Sequence, residues 1–295
     1  MLIDTHTHIN FRAFKDDADK VIQNTLKQDV WMILPSSQRT TSQRAVRIAE
    51  AYPKGVYAAV GLHPVHLVQR NVKASEVQME ETKAQDWMEF ETRAEEFDSS
   101  FYASLAKSSK KVVAIGECGL DSFGLPKRKS ERREAKEKQK EVLREHIKLA
   151  QELDLPVIFH CRGALDSLAD LLLEYKGSVR GVVHSFTGTV EQAYRFLQMG
   201  LYVGFNGIIF KDRPSLPDFS QVISSVPLDR IVVETDAPYL AVPAEVLTKA
   251  GSVPVERNEP LFVRYVAEEV ARIKGITFDE IASQTTHNAK TLFNI

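Results

Sequence analysis

The sequence predicts an α/β protein of the (β/α)8 TIM-barrel type. Eight short apolar segments rich in β-branched residues alternate with stretches of helical periodicity along 295 residues. Several of the segments, VVAIG, PVIF and IVVE among them, are apolar at consecutive positions. That pattern suits strands buried on both faces of a parallel sheet. The length fits a single domain spanning 1–295, since α/β barrels commonly reach this size without dividing.

The first strand is read at Leu2–Ile9 and the second at Trp31–Ser37, with a helix over Asp17–Gln28 between them. A helix over Ser42–Tyr52 leads to the third strand, Val56–Pro64. The fourth, Val112–Asp121, is followed by a helix over Ala135–Leu153, which places Val142, Leu143, His146, Ile147 and Ala150 on one face. The fifth and sixth strands are Pro156–Arg162 and Gly181–Thr187. A helix over Val190–Met199, closed by Gly200, precedes Tyr202–Gly207, and the eighth strand is Ile231–Pro238.

Two stretches exceed a minimal barrel. Residues 68–107 are much longer than one crossover requires and rich in Glu, Gln, Lys and Ala, which predicts one or two extra helices between the third and fourth strands. Residues 127–148 hold ten Lys/Arg against five Glu. Asp121–Lys129 is read as a loop on the active rim, where Lys127, Arg128 and Lys129 could meet a nucleic-acid backbone. The helix beyond it reads as a solvated face of mixed charge.

The formal net charge is -2, so no global field gathers a polyanion, and local cations or metal would have to hold one. Two cysteines cannot build a disulfide framework, and MLIDTHTHIN has neither the basic nor the apolar region of a signal peptide. No apolar run reaches bilayer length. The expectation is a cytoplasmic protein with no membrane association and no obligate protein partner.

The chemistry gathers at strand ends, the open rim of a barrel. In Asp4-Thr5-His6-Thr7-His8, side chains two apart share a face, so His6 and His8 can converge on one cation. Glu117, His160, His184 and Asp236 end the fourth, fifth, sixth and eighth strands. Singly, a histidine there is more often a hydrogen-bonded structural residue, and a Glu or Asp as readily caps the next helix. Jointly, four imidazoles and two carboxylates from five strand ends suit two divalent ions, zinc, manganese or magnesium. Such ions would acidify a water whose proton Asp236 could accept; Asp236 and Glu117 are the candidate catalytic carboxylates.

His63 shares the rim and could contact substrate or metal. Arg162, two residues beyond His160, could grip a phosphate oxygen or pair with a carboxylate. Arg257-Asn258-Glu259-Pro260 reads as a helix start with Asn258 as N-cap, with a weaker role for Arg257 at the substrate mouth. His66 is expected in solvent, His146 packed or solvated, His287 structural, and Cys118 and Cys161 packed thiols.

DTHTH, GLHP, IGECGLD, PVIFHCR, HSFTG, ETDAPYL, RNEP and THNAKTLF together resemble the TatD-family metal-dependent deoxyribonucleases of the amidohydrolase superfamily. The resemblance runs nearly end to end. It implies that His6, His8, Glu117, His160, His184 and Asp236 are ligands of a dinuclear metal site, and that the substrate is DNA, cleaved by phosphodiester hydrolysis, often exonucleolytically. Glu117 stands where many superfamily relatives carry a carboxylated lysine. Two departures accompany it: the stretch 68–107 is long for the family, and Ser185 stands where cysteine is common. Two other readings compete: hydrolysis of an amide, ester or aminoacyl-tRNA linkage at the same site, and a non-catalytic binding protein that keeps the barrel.

Overall fold

The structure is a computed structural model that describes residues 1–74, 86–175, 177–249 and 257–295. Its strands are β1 (Leu2–Asp4), β2 (Val30–Leu34), β3 (Val56–Val60), β4 (Asn71–Val72), β5 (Phe90–Glu91), β6 (Val112–Asp121), β7 (Val157–Arg162), β8 (Gly181–Val183), β9 (Tyr202–Phe205) and β10 (Ile231–Val233). All but β4 and β5 form one eight-stranded sheet in chain order, every neighbouring pair parallel. The ends meet: Thr5 N–H donates to Val233 O (3.1 Å), Thr7 bridges Ala237, and His8 N–H donates to Ala237 O (2.6 Å). The fold is a (β/α)8 barrel.

All eight expected strands are present, but several ladders stop early. β1 ends at Asp4, β8 at Val183 and β10 at Val233. The residues beyond leave the pleat: Ser185 has φ 48° and Asp236 φ 59°, the left-handed region that non-glycine residues seldom occupy. Apolar periodicity marks the buried strand and does not register where its backbone turns away.

The helices are α1 (Ala18–Lys27), α2 (Arg39–Glu50), α3 (Ser99–Lys107), α4 (Lys129–Leu153), α5 (Leu165–Leu172), α6 (Val190–Gln198), α7 (Phe219–Ser225), α8 (Ala244–Lys249), α9 (Val263–Lys274) and α10 (Phe278–Phe293). α4 begins at Lys129 instead of Ala135, because its first turns are exposed and carry no apolar stripe. α6 starts in a capping box between Thr189 and Gln192. No described helix is long and apolar enough to cross a membrane.

The stretch 68–107 also holds strands that the sequence did not announce. Its described residues hold the antiparallel pair β4–β5, with Asn71 opposite Glu91 and Val72 opposite Phe90, and α3, which is the crossover into β6. Two-residue strands leave no periodicity to read. Residues 75–85 lie outside the described part, and the expected extra helices fall partly on them.

The core has two parts. One lies between strands and helices, with Leu2, Met32, Leu34, Val60 and Phe159 against Leu143, Ile147, Leu168 and Phe196. The other fills the barrel with Ile3, Ile33, Ala59, Ala114, Ile158, Val182 and Val232, and α10 stops its lower end with Leu292 and Phe293. α10 is fixed there by Asn288, whose amide donates to Leu228 O (2.8 Å) and Ile231 O (2.7 Å). With the bottom sealed, the upper rim is the open end.

His146 is wholly buried on α4. Its Nδ1 lies 2.7 Å from Val142 O, and its Nε2 accepts the Leu62 N–H (3.0 Å) just before the rim. Burial pushes its pKa down to about 4. The unfolded chain therefore binds a proton below about 6.5 that the folded protein refuses. Stability from this group is complete above that pH and declines as pH falls toward 4, by about 3 kcal/mol in all. H146L should lower stability near neutrality by about 1–3 kcal/mol, since Leu62 N–H loses its acceptor, and should flatten this acid dependence. Urea titrations at a series of pH values would check both; an unchanged slope would refute the assignment.

Candidate metal centre

Past β1 the chain carries His6 and His8 to the rim, both buried, with their Nε2 atoms 3.2 Å apart. Asp4 fixes this segment. Its Oδ1 accepts the N–H groups of His6 (3.2 Å) and Thr235 (2.9 Å), and its Oδ2 accepts the Thr235 hydroxyl (2.6 Å). The first strand end is thereby pinned to the eighth, and Asp236 follows directly. Asp236 Oδ1 lies 3.7 Å from His6 Nε2 and 3.3 Å from His8 Nε2; Glu117 Oε2 lies 3.4 and 3.7 Å from the same nitrogens. Donors about 2.0–2.1 Å from a tetrahedral cation stand about 3.3 Å apart, so this spacing fits an ion among them.

The other oxygen of Glu117 serves a second group. Oε1 is 2.8 Å from His160 Nδ1 and 2.9 Å from His184 Nε2, and those nitrogens are 3.4 Å apart. The His6 ring stacks on His184 at 3.8 Å between centroids. The six side chains singled out in the sequence thus meet in one place. Their ligand atoms form sets close enough to hold a metal ion, His6–His8–Asp236 and Glu117–His160–His184; His6–His184–Glu234 and His63–Asp121–His160 form two more.

Electrostatics bind the cluster. Burial alone would raise the pKa of Glu117, but the imidazoles of His184, His63 and His6 and the hydrogen bond to His160 outweigh it and hold the carboxyl well below its usual range. Burial works against protonating His184 and His160, yet Glu117 with Glu234 raises the first and Asp121 with Glu117 raises the second. For His6 burial prevails, reinforced by His184, and its pKa falls. The cluster lines an open cavity of about 180 Å³, with Phe11, Tyr239, Val72 and Phe90 on its apolar walls.

Comparison with known proteins agrees with this arrangement. The family model for TatD related DNase matches residues 3–294. The chain belongs to that family. It is 36% identical to the uncharacterized metal-dependent hydrolase YabD of Bacillus subtilis and 30% identical to a 3'-5' ssDNA/RNA exonuclease TatD of Pantoea vagans, each match covering 100% of both chains. Among solved structures it resembles YjjV, a TatD homolog from Escherichia coli, with TM-score 0.77, 30% identity, and coverage of 100% of this chain and 98% of that one.

In this TatD-family chain two carboxylates that the sequence reading passed over support the cluster. Asp121 Oδ2 lies 3.4 Å from His160 Nε2. Glu234 is fully buried, 3.4 Å from His184 Nδ1, and its Oε1 accepts the Ser185 N–H at 2.5 Å. Because that bond uses the Ser185 backbone, it does not depend on serine in place of cysteine. A Cβ on Gly204 would come within 2.5 Å of the Glu234 carboxylate, so glycine makes room for it. The signal was available: Asp121 and Glu234 lie four and two residues along the chain from Glu117 and Asp236.

Of the two expected substrate residues, His63 places Nε2 3.6 Å from Glu117 Oε1, and burial, with His160 next, keeps its pKa well below normal. Arg162 lines the cavity with its guanidinium carbon 3.9 Å from the Phe123 ring centroid. Other expectations change. Arg257 does not line the mouth; it makes two bonds to Asp17 (2.9 and 2.7 Å) and another to Ala13 O. Asn258 caps no helix: its amide donates to the carbonyls of Thr235, Tyr239 and Leu240, and Glu259 heads the following turn. His66 is buried beside Phe90 instead of solvated, whereas His287 is exposed. A loop position and a helix interior misled because tertiary packing sets burial. Cys118 and Cys161 are packed as expected, burial pushing both thiols up.

Supporting carboxylates that orient a ligating imidazole are commonly worth about 10–100-fold in metal affinity. E234Q should weaken divalent-metal binding by that order while the circular-dichroism spectrum stays unchanged. Calorimetric titration with manganese would measure it, and wild-type affinity in the variant would remove Glu234 from the support of His184.

Proposed function

We propose that residues 1–295 form one catalytic unit that hydrolyses phosphodiester bonds at the end of a single DNA strand. In this reading two divalent ions are held, one by His6, His8, Glu117 and Asp236 and the other by Glu117, His160 and His184. The observation that carries it is Glu117, each of whose oxygens faces a different imidazole pair. Four imidazoles favour zinc or manganese over magnesium. The name of the Pantoea vagans relative supports a single-stranded substrate and 3'-to-5' direction. Two buried free cysteines suit a reducing compartment such as the cytoplasm.

When bound, the ions would acidify the attacking water and neutralise the phosphate oxygens. The chain's own groups do the rest. The side chain of Asp236 is 15% exposed against 5% for Glu117, so Asp236 is the carboxylate presented to the cavity and takes the proton of the water. Burial raises its pKa, but His8 and His6 outweigh burial and keep it ionised. Glu117 holds the two ligand sets together. His63 and Arg162 stand where they can hold a non-bridging phosphate oxygen.

The test is turnover of a 3'-labelled and a 5'-labelled single-stranded oligonucleotide beside carboxylic esters and amides, with manganese, zinc or magnesium and with EDTA. EDTA should abolish cleavage, and D236N should lower kcat by on the order of 10²–10⁴. Ester turnover without oligonucleotide cleavage would overturn the nuclease reading.

Metal binding should also release protons. In the metal-free protein Glu117 raises the pKa of His160 and His184, and a ligating imidazole must be neutral. Apparent affinity should therefore weaken as pH falls below those raised values. Calorimetry in buffers of different ionisation enthalpy would count the protons, and binding without release would contradict the assignment.

A further inference from the structure

Phe123, in the loop between β6 and α4, is 46% exposed, one of four large apolar side chains so exposed among the described residues. It is tied to the metal centre. Its N–H donates to Asp121 Oδ1 (2.7 Å), and the same carboxylate reaches His160 through Oδ2 (3.4 Å). The guanidinium of Arg162, a cavity residue, covers its ring at 3.9 Å. At Gly124 (φ +66°) a Cβ would come within 2.4 Å of the Arg70 guanidinium, so a second cavity residue packs against the turn. An aromatic face is thus held at the cavity edge with cations beside it.

The chain then runs directly into Lys127-Arg128-Lys129-Ser130-Glu131-Arg132-Arg133, five cations against one carboxylate, in a protein of net charge -2. All seven are exposed, and Glu131 pairs with Arg128 at 2.7 Å. They sit at the N-terminus of α4, where the helix dipole disfavours positive charge and favours Asp or Glu. Arg128 at the N-cap makes no capping bond. Helix stability therefore does not account for these cations, and a polyanion would.

We infer that this loop and the start of α4 form a ramp for single-stranded nucleic acid: Phe123 stacks a base beside the reacting end, and Lys127, Lys129, Arg132 and Arg133 hold the backbone that follows. The inference rests on the nuclease reading above. Stacking platforms joined to a cationic track are the common device for sequence-tolerant binding of single strands.

The experiment compares manganese-loaded wild type, F123A, F123W and K127Q/K129Q/R132Q/R133Q on an oligothymidylate of about 20 nucleotides, a length spanning stacked base and charged track. Methyl p-nitrophenyl phosphate, which has neither base nor strand, is the second substrate. F123A should lower kcat/KM on the oligonucleotide about tenfold more than on the small ester, and F123W should restore it. The quadruple variant should reduce the slope of log KM against log salt by about 3. Equal losses on both substrates, an undiminished oligonucleotide rate in F123A or an unchanged salt slope would overturn the ramp. Wild-type cleavage of the oligonucleotide with such results removes the ramp alone; wild type that cleaves no oligonucleotide removes the nuclease reading together with it.

Discussion

The rim is organised by one buried carboxylate. Placing an ionised Glu117 inside a barrel costs several kcal/mol unless opposite charges or donors surround it closely. Here five imidazoles do so, at 2.8 to 3.7 Å. Glu117 in turn raises the pKa values of His160 and His184 and so favours protons on them. Divalent cations would replace those protons. The same packing serves both conditions, because each oxygen of Glu117 has its own set of nitrogen neighbours.

That packing needs a rigid frame at a place where regular structure has ended. The strands stop short of the functional residues, and side-chain bonds take over from the ladder. Asp4 clamps the backbones of His6 and Thr235, Glu234 holds the Ser185 N–H beside His184, and Asn258 gathers three carbonyls of the segment after β10. These hydrogen bonds offset much of the desolvation of the buried groups and hold the chain around the left-handed turn at Asp236, although Glu234 Oε2 has no hydrogen-bond partner among the described residues. At the other end α10 plugs the barrel, so access is confined to the rim.

The rim is also where this chain acquires individuality. The β4–β5 pair brings Val72 and Phe90 to the cavity wall, and the loop after β6 brings Phe123 over Arg162. Neither feature touches the Glu117 cluster directly. The ligand cluster and these apolar features of the cavity edge are thus carried by different segments, as expected of a fold whose loops vary over a constant barrel.

Much of this was legible in the residues. Continuous β-branched runs announced the parallel strands, because burial on both faces demands them, and His6, His8, Glu117, His160, His184 and Asp236 announced themselves by following those runs. The supporting carboxylates Asp121 and Glu234 offered only their nearness to Glu117 and Asp236, since an acidic residue near a ligand looks the same whether it points inward or away. His66 and Arg257 were misplaced for the same reason: burial and ion pairing depend on neighbours distant in the chain. The sequence alone determined the barrel and the kind of atoms at its rim, through local periodicity and residue chemistry. Tertiary structure decided which of those atoms share a cation-sized space, because separations of 3 Å between residues more than a hundred positions apart are set only when the strands close into a ring.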